Sequence, residues 1–521
     1  MVLGLGLGSF NSNSNRAFNE SIPSSSRVAR LVYTPIWNFS TTMDNGLETK
    51  LLRHNEEETE GDLKQRVWTE SKKIWRVALP GVISRVCAFG TIVVTQSFIG
   101  HISDMDLAAY ALVQTLSVRF VNGILIGMSS ATETLCGQAF GAGHHHMMGI
   151  YLQRSWIVDF LTLTVLLPIF IFATQLYRLI GEDEAIAVSG GYVSLWFIPF
   201  VYNFVFSLTI QMFLQAQLKN MVIAWLSLFQ FGIHIPLSWL LVTKLGFGVP
   251  GAMIALSSSS WFLVIGEFIY IFGGWCPLSW KGFTVASFKD LVPVVKLSLS
   301  SGVMLGAMVQ CCASLTRGIH GKCRSRHFCL LDMLEHQCMG VHDKSRLLSV
   351  RVANELGRGN AKAAKFSIKV LLGTSIAIGT FFFVLCLVFG KNIAYFFTND
   401  EKVVDTVADL SLLLSFSVLL NSIYPVLSGV AVGAGMQGIV AVINLVCYYL
   451  IGIPMGALLG YLTDLQVKGI WIGMIGGIVT QTLALMYLTW STDWDDQVKK
   501  AGDRLNRFYV KTSDNTDEIS N

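Results

Sequence analysis

Few side chains in this 521-residue sequence can do chemistry, and most of them sit where water is scarce. Arg85 and Arg119 lie deep inside apolar runs, Arg119 about twelve residues into the run 107–130. An ionisable group at that depth costs about 2.5–3.5 kcal/mol, so it is either a functional group or half of a structural pair. Glu267 falls in a later apolar run and has the chemistry of a proton carrier. Glu133 and Gln138 flank the end of the run that holds Arg119, where hydrogen bonding at a helix end is the competing role. Pro80, Pro236 and Pro454 each delete a backbone donor inside an apolar run and are candidate helix bends.

Metal chemistry has two candidates. The segment HGKCRSRHFCLLDMLEHQC (320–338) holds three His and three Cys in nineteen residues. These are zinc-binding side chains, but adjacent Cys311 and Cys312, followed by Cys323, Cys329 and Cys338, lack the paired Cys-x2-4-Cys spacing of structural zinc sites. His144, His145 and His146 form a short tract in a Gly-rich stretch, and its plainer reading is a solvated loop. The other five cysteines, Cys87, Cys136, Cys276, Cys386 and Cys447, stand singly in apolar runs as small hydrophobes. No metal site and no cofactor is expected.

The elements that position these groups follow from composition. At 52% apolar and 14% charged, against about 25% charged in soluble domains, the chain cannot cover a water-facing surface. The net charge is only +4 and no basic stripe alternates with aromatics, so nucleic acid is not a partner; the lipid bilayer is. Apolar runs at 74–99, 107–130, 152–174, 189–212, 221–243, 251–273, 290–308, 370–390, 406–430, 439–461 and 468–490 are near the roughly 20 residues of a transmembrane helix. The fold class is an all-α polytopic membrane protein.

An internal repeat orders these spans. GIHIPLSWLL (232–241) resembles LIGIPMGALL (450–459), which sets Pro236 over Pro454 at an offset of 218. GQAFGAG (137–143) lies over ANELGRG (353–359), with Gly141 over Gly357 and Gly143 over Gly359 at an offset of 216. WRVALP (75–80) lies less closely over VKLSLS (295–300). Repeats of this kind imply two six-helix lobes, related by a pseudo-twofold axis along the membrane normal because six spans return the chain to its starting side. The repeat asks for an eighth span near 325–348. Residues 307–346 instead carry six Lys or Arg, three Asp or Glu and four His, too many charges to cross. A pair of compensating reading-frame shifts is the preferred explanation, ahead of a genuine cytosolic insertion.

The expected organisation is a disordered region 1–69, an N-terminal lobe 70–285, a C-terminal lobe 286–495 with 307–346 aberrant, and a cytoplasmic tail 496–521. Residues 1–42 are rich in Ser and Asn, and an upstream start is preferred over a transit peptide. With the eighth span restored, ten basic residues fall in loops on the side of the termini and five on the other, which puts both termini inside.

Several ordered motifs then carry a family resemblance: ESKKIWRVALPGV, TQSFIGHISDMDLAAYAL, RFVNGILIGMSSATETLCGQAFGAG, FLQAQLKN, VRVANELGRGNAKAAKFS and NSIYPVLSGVAVGAGMQ. Over about 70–306 and 347–495 the sequence resembles the multidrug and toxic compound extrusion (MATE) family, in particular its plant DETOXIFICATION group. The resemblance implies a monomeric, non-enzymatic, proton-coupled antiporter of small organic compounds such as flavonoids, alkaloids or xenobiotics, in a vacuolar or plasma membrane. It also implies an acidic residue in the seventh helix, where this chain has SSGVMLGAMVQCC (300–312), and in some relatives an Asp at the position of Asn421. Those departures leave a second reading open, a non-functional membrane protein or pseudogene product.

Overall fold

The computed structural model describes residues 63–288, 349–397, 401–463 and 466–508, together with positions 291 and 295. Every regular element among them is helical. Helix α1 is Leu63–Gly100, α2 Asp104–Gly141, α3 His145–Ile171, α4 Glu184–Ala216, α5 Asn220–Lys244 and α6 Gly248–Trp275. After the undescribed stretch, residues 349–357 form α7, followed by α8 Ala361–Phe397, α9 Glu401–Gly433, α10 Gln437–Tyr461, α11 Gln466–Ser491 and α12 Trp494–Phe508. Ten helices among the described residues are long and apolar enough to cross a membrane. In hydrocarbon a spanning segment must satisfy its backbone internally, which is why apolar runs of this length become helices.

Local signals set the helix ends. The Ser103 side chain accepts from the Met105 amide at 3.2 Å to start α2, with Asp104 and Asp106 in its first turn. Asp183 does the same for α4 through Ala185 at 3.1 Å. Both acids and caps oppose the positive end of a helix dipole. Gly143 (φ 79°) ends α2 and its repeat partner Gly359 (φ 78°) follows α7, each in the left-handed region that glycine adopts without strain.

Ten of the eleven apolar runs are helices; the run 290–308 lies outside the described residues apart from 291 and 295. The anomalous 307–346 segment lies outside them too, but α7 ends at Gly357, the position that the repeat lays over Gly141 at the end of α2 and nine residues beyond the expected span. Two boundaries differ from expectation. Helix α1 begins at Leu63, so 63–69 are helical, because Glu70 is anchored by the C-terminal lobe and holds the first turns in place. The start of the expected tail is likewise α12, an amphipathic helix that buries Trp494 and Ala501 against Val352, Leu356, Ile368 and Val430.

The N-terminal lobe packs around Tyr110, Phe170, Tyr177, Phe197, Met253 and Leu256. In the C-terminal lobe α10 and α11 cross through glycines. Gly473 abuts Gly456, and Gly477 sits so near Gly452 that a Cβ would lie 3.2 Å from its Cα. Small residues four apart let membrane helices approach at backbone distance.

Candidate functional site

The lobes meet where α2, α4, α7 and α9 end. Gly137 faces Ala353, its own counterpart in the repeat, so closely that a Cβ on Gly137 would stand 2.7 Å from that of Ala353. A contact between equivalent residues lies on a twofold axis. On either side, Gly141 abuts the Asn354 carbonyl and Gly357 abuts the Gln138 carbonyl, one contact made twice. The hydrogen bonds repeat the pattern. Gln138 Nε2 donates to the carbonyl of Gly433, which ends α9, at 3.3 Å, and Asn354 Nδ2 donates to the carbonyl of Ala216, which ends α4, at 3.5 Å. The turns after these helices match as well: Leu218 has φ 62° and Gly435 φ 76°.

Further bonds break the symmetry and tighten this seam. Gln437 Nε2 donates to the Ser130 carbonyl at 3.1 Å and to Thr134 Oγ1 at 2.9 Å, and Thr134 Oγ1 donates to the Val432 carbonyl at 2.9 Å. Arg504 of α12 donates to Gln138 Oε1 at 2.9 Å. Burial, and then neighbouring Arg507, press the Arg504 guanidinium below its ordinary pKa, yet a guanidinium stays charged. Buried Glu70 of α1 accepts from Arg351 at 3.1 and 2.9 Å and from Ser367 at 2.8 Å. Arg351 and Arg358 both also pair with Glu355, at 2.8 and 3.0 Å. All these inter-lobe bonds lie at the same end of the bundle.

A second polar group lies inside the N-terminal lobe. Ser84 and Arg85 of α1, Gln211 and Gln215 of α4 and Asn220 of α5 line a pocket with room for about one water molecule. Gln211 links this pocket to Glu267: its Nε2 donates to Ser207 Oγ at 2.7 Å and to Glu267 Oε1 at 3.2 Å. Glu267 is fully buried, and its Oε2 has no hydrogen-bond partner among the described residues. Above it, buried His234 ties α1, α5 and α6 together through Thr95 at 3.1 Å, Ser259 at 3.0 Å and Ser238 at 3.4 Å.

Gln138 therefore sits in the seam, with Glu133 buried nearby in α2. Arg85 sits at the pocket, and Glu267 is reached from it through Gln211. Arg119 is buried just after the π-helical turn Gln114–Val118, about 27 Å along α2 from Gly137. Asn421 is half-buried in α9, donating to Ser417 at 3.3 Å, about 18 Å along the helix from Gly433. Arg119 and Asn421 join neither group. Pro80 and Pro236 lie within α1 and α5, and Pro454 begins the helical segment that follows the π-helical turn Val446–Gly452 in α10. Among the described residues no group of three metal-ligating side chains occurs. Asn354 was findable in advance, since the repeat lays it over Gln138; Glu70, Gln437 and Arg504 carry no such signal.

The MatE family model matches residues 80–240 and 348–458, more than half of the chain. Protein DETOXIFICATION 24 of Arabidopsis thaliana is 46% identical over 459 residues, covering 87% of this chain and 91% of that protein. Protein DETOXIFICATION 21 of the same plant is 46% identical over 473 residues, covering 89% and 95%. The crystal structure of a eukaryotic MATE transporter superposes with a TM-score of 0.78 at 28% identity, covering 84% of this chain and 99% of that one.

Proposed function

This chain belongs to the MATE family of membrane transporters, and on that premise we propose that it exchanges small organic compounds for protons by alternating access. Flavonoids, alkaloids or xenobiotics are the substrate class, a vacuolar or plasma membrane of a plant cell is the site, and the working unit is a monomer in the bilayer with both termini cytoplasmic. The relatives are similar over more than nine-tenths of their length, which favours a working transporter over a damaged one.

Glu267 is the observation that carries the proton coupling. An antiporter needs a carboxyl that holds a proton in one state and releases it in another. Glu267 is a fully buried carboxyl inside a spanning helix, with one oxygen held by Gln211 and the other without a partner among the described residues. A buried carboxylate costs far more than a buried acid, so protonation and local structure are linked. The symmetric seam supports the alternation: two lobes that touch through equivalent residues on an axis can part there by rotation of one rigid body against another.

Purified protein in proteoliposomes tests the reading. A proton gradient alone drives uptake of an organic substrate, and a protonophore collapses it. Glu267→Gln loses gradient-driven uptake but retains substrate-for-substrate exchange at equal pH. Uptake that follows ATP hydrolysis with the proton gradient clamped, or that survives Glu267→Gln unchanged, would overturn it.

A further inference from the structure

Resting on that reading, the geometry points to the pocket between α1, α4 and α5 as the water site through which Glu267 exchanges its proton with the cytoplasmic side, with Gln211 and Gln215 as its positioning residues. The pocket is built for water. It has room for one molecule, and Gln215, nine-tenths buried, lines it with an Oε1 that meets no partner among the described residues. Serine, arginine and amide groups surround that space, which supplies the several polar partners a buried water needs.

The pocket is also connected at both ends. Toward the membrane centre, Gln211 spans from the pocket to Glu267 Oε1. With Glu267 ionised, the Gln211 amide donates to it; once Glu267 is protonated its hydroxyl becomes a donor, and the amide must turn its oxygen instead. Gln211, not Glu267, lines the pocket, so the transfer runs when the amide swings aside: a hydrated proton then gives H⁺ to the carboxylate and leaves neutral water, and nothing is oxidised or reduced. Arg85 supplies the selectivity. A fixed guanidinium in so small a space repels metal cations and keeps an excess proton from resting there, so the proton is on Glu267 or gone.

At the other end the pocket is bordered by Gln215 and Asn220, the residues that flank the turn bearing on the seam. Gln215 and Asn220 bracket Ala216–Lys219, and the Ala216 carbonyl accepts from Asn354 of the opposite lobe. While the lobes are joined, this turn shuts the pocket off from the cytoplasmic side. When they part, the turn is released, and Glu267 can exchange its proton there. Proton access and lobe movement are thereby tied to one short segment, the condition for exchange without leak. Around Glu267, α4 contributes Gln211 and Ser207, α5 contributes apolar Leu226 against Gly266, and the nearest charged group lining the pocket is Arg85 of α1.

The test uses the full chain in proteoliposomes, with Gln211→Met and Gln215→Met, close in size and unable to hold water. Gradient-driven uptake is expected to fall about a hundredfold, the low end of what a positioned proton-transfer arrangement contributes, while exchange at equal pH is little changed. If both variants keep native gradient-driven uptake while Glu267→Gln abolishes it, the passage is wrong and the carrier stands. If Glu267→Gln also keeps it, the carrier itself is wrong. Gln215→Glu decides the matter where a Met variant fails to fold: it keeps the pocket polar and adds a titrating group to the passage, so the pH profile of gradient-driven uptake must move while that of exchange does not. An unmoved profile overturns the proposal.

Discussion

Replacing Gly141 or Gly357 with alanine should open the seam, and both should do so to a similar extent. A methyl on Gly141 would lie 2.8 Å from the Asn354 carbonyl carbon and 3.0 Å from its Cα; on Gly357 it would lie 2.9 and 3.0 Å from the same atoms of Gln138. Carbon atoms rest about 3.5–4.0 Å apart, so the lobes must separate by about 1 Å. The seam bonds at 3.3 and 3.5 Å, from Gln138 to Gly433 and from Asn354 to Ala216, do not survive that displacement. With one of the Gln437 or Thr134 bonds, two or three are lost at about 0.5–1.5 kcal/mol each, or about 2–3 kcal/mol, a shift of about 30- to 150-fold toward the parted state. Any helix-propensity gain acts on both states and cancels. Spin labels on exposed Met221→Cys of α5 and Lys362→Cys of α8, with the native cysteines replaced, report the inter-lobe distance by pulsed electron resonance. Gly143→Ala is the control: its φ of 79° is strained for alanine, costing about 1 kcal/mol of stability, but no atom lies within 4 Å, so the distance should not change. A native distance distribution in folded Gly141→Ala and Gly357→Ala, or a shift in only one of them, refutes the twofold seam.

Glu70→Ala should lower stability by about 2–3 kcal/mol, below the full range for a buried pair because Arg351 is 22% exposed and keeps Glu355, and a double-mutant cycle with Arg351→Ala measured by thermal unfolding should return most of that as coupling. His234→Ala should cost about 2–4 kcal/mol in the same assay, since it opens a cavity and strips partners from Thr95, Ser259 and Ser238; an unchanged melting temperature would mean that the three-helix tie is not structural. Trp494→Ala, which empties a site 4% exposed against the C-terminal lobe, should cost about 3–5 kcal/mol, and a loss under about 1 kcal/mol would show that α12 is not docked.

Composition and apolar run length fix the solvent, the helices and their order. Apolar runs of spanning length can become only helices in hydrocarbon, so ten were legible to within a few residues at most ends, and the paired motifs GQAFGAG and ANELGRG revealed the repeat. The sequence also marked Arg85, Gln138 and Glu267 as polar groups in costly places. It did not say which of them meet. Gln138 and Gly433 are 295 residues apart, Glu70 and Arg351 281, Arg504 and Gln138 366, and no local periodicity encodes contacts at such separations. The α2 span was read as ending at 130 because nine of its last eleven residues, all but Leu135 and Phe140, are polar or small; packing against the other lobe carries the helix on to Gly141, where glycines that look like loop residues become the points of closest approach. The amphipathic face of α12 looked like a soluble tail for the same reason: a half-apolar helix with its partner out of view reads as solvated, and only the apolar surface of the C-terminal lobe, assembled from α7, α8 and α9, gives that face something to bury against.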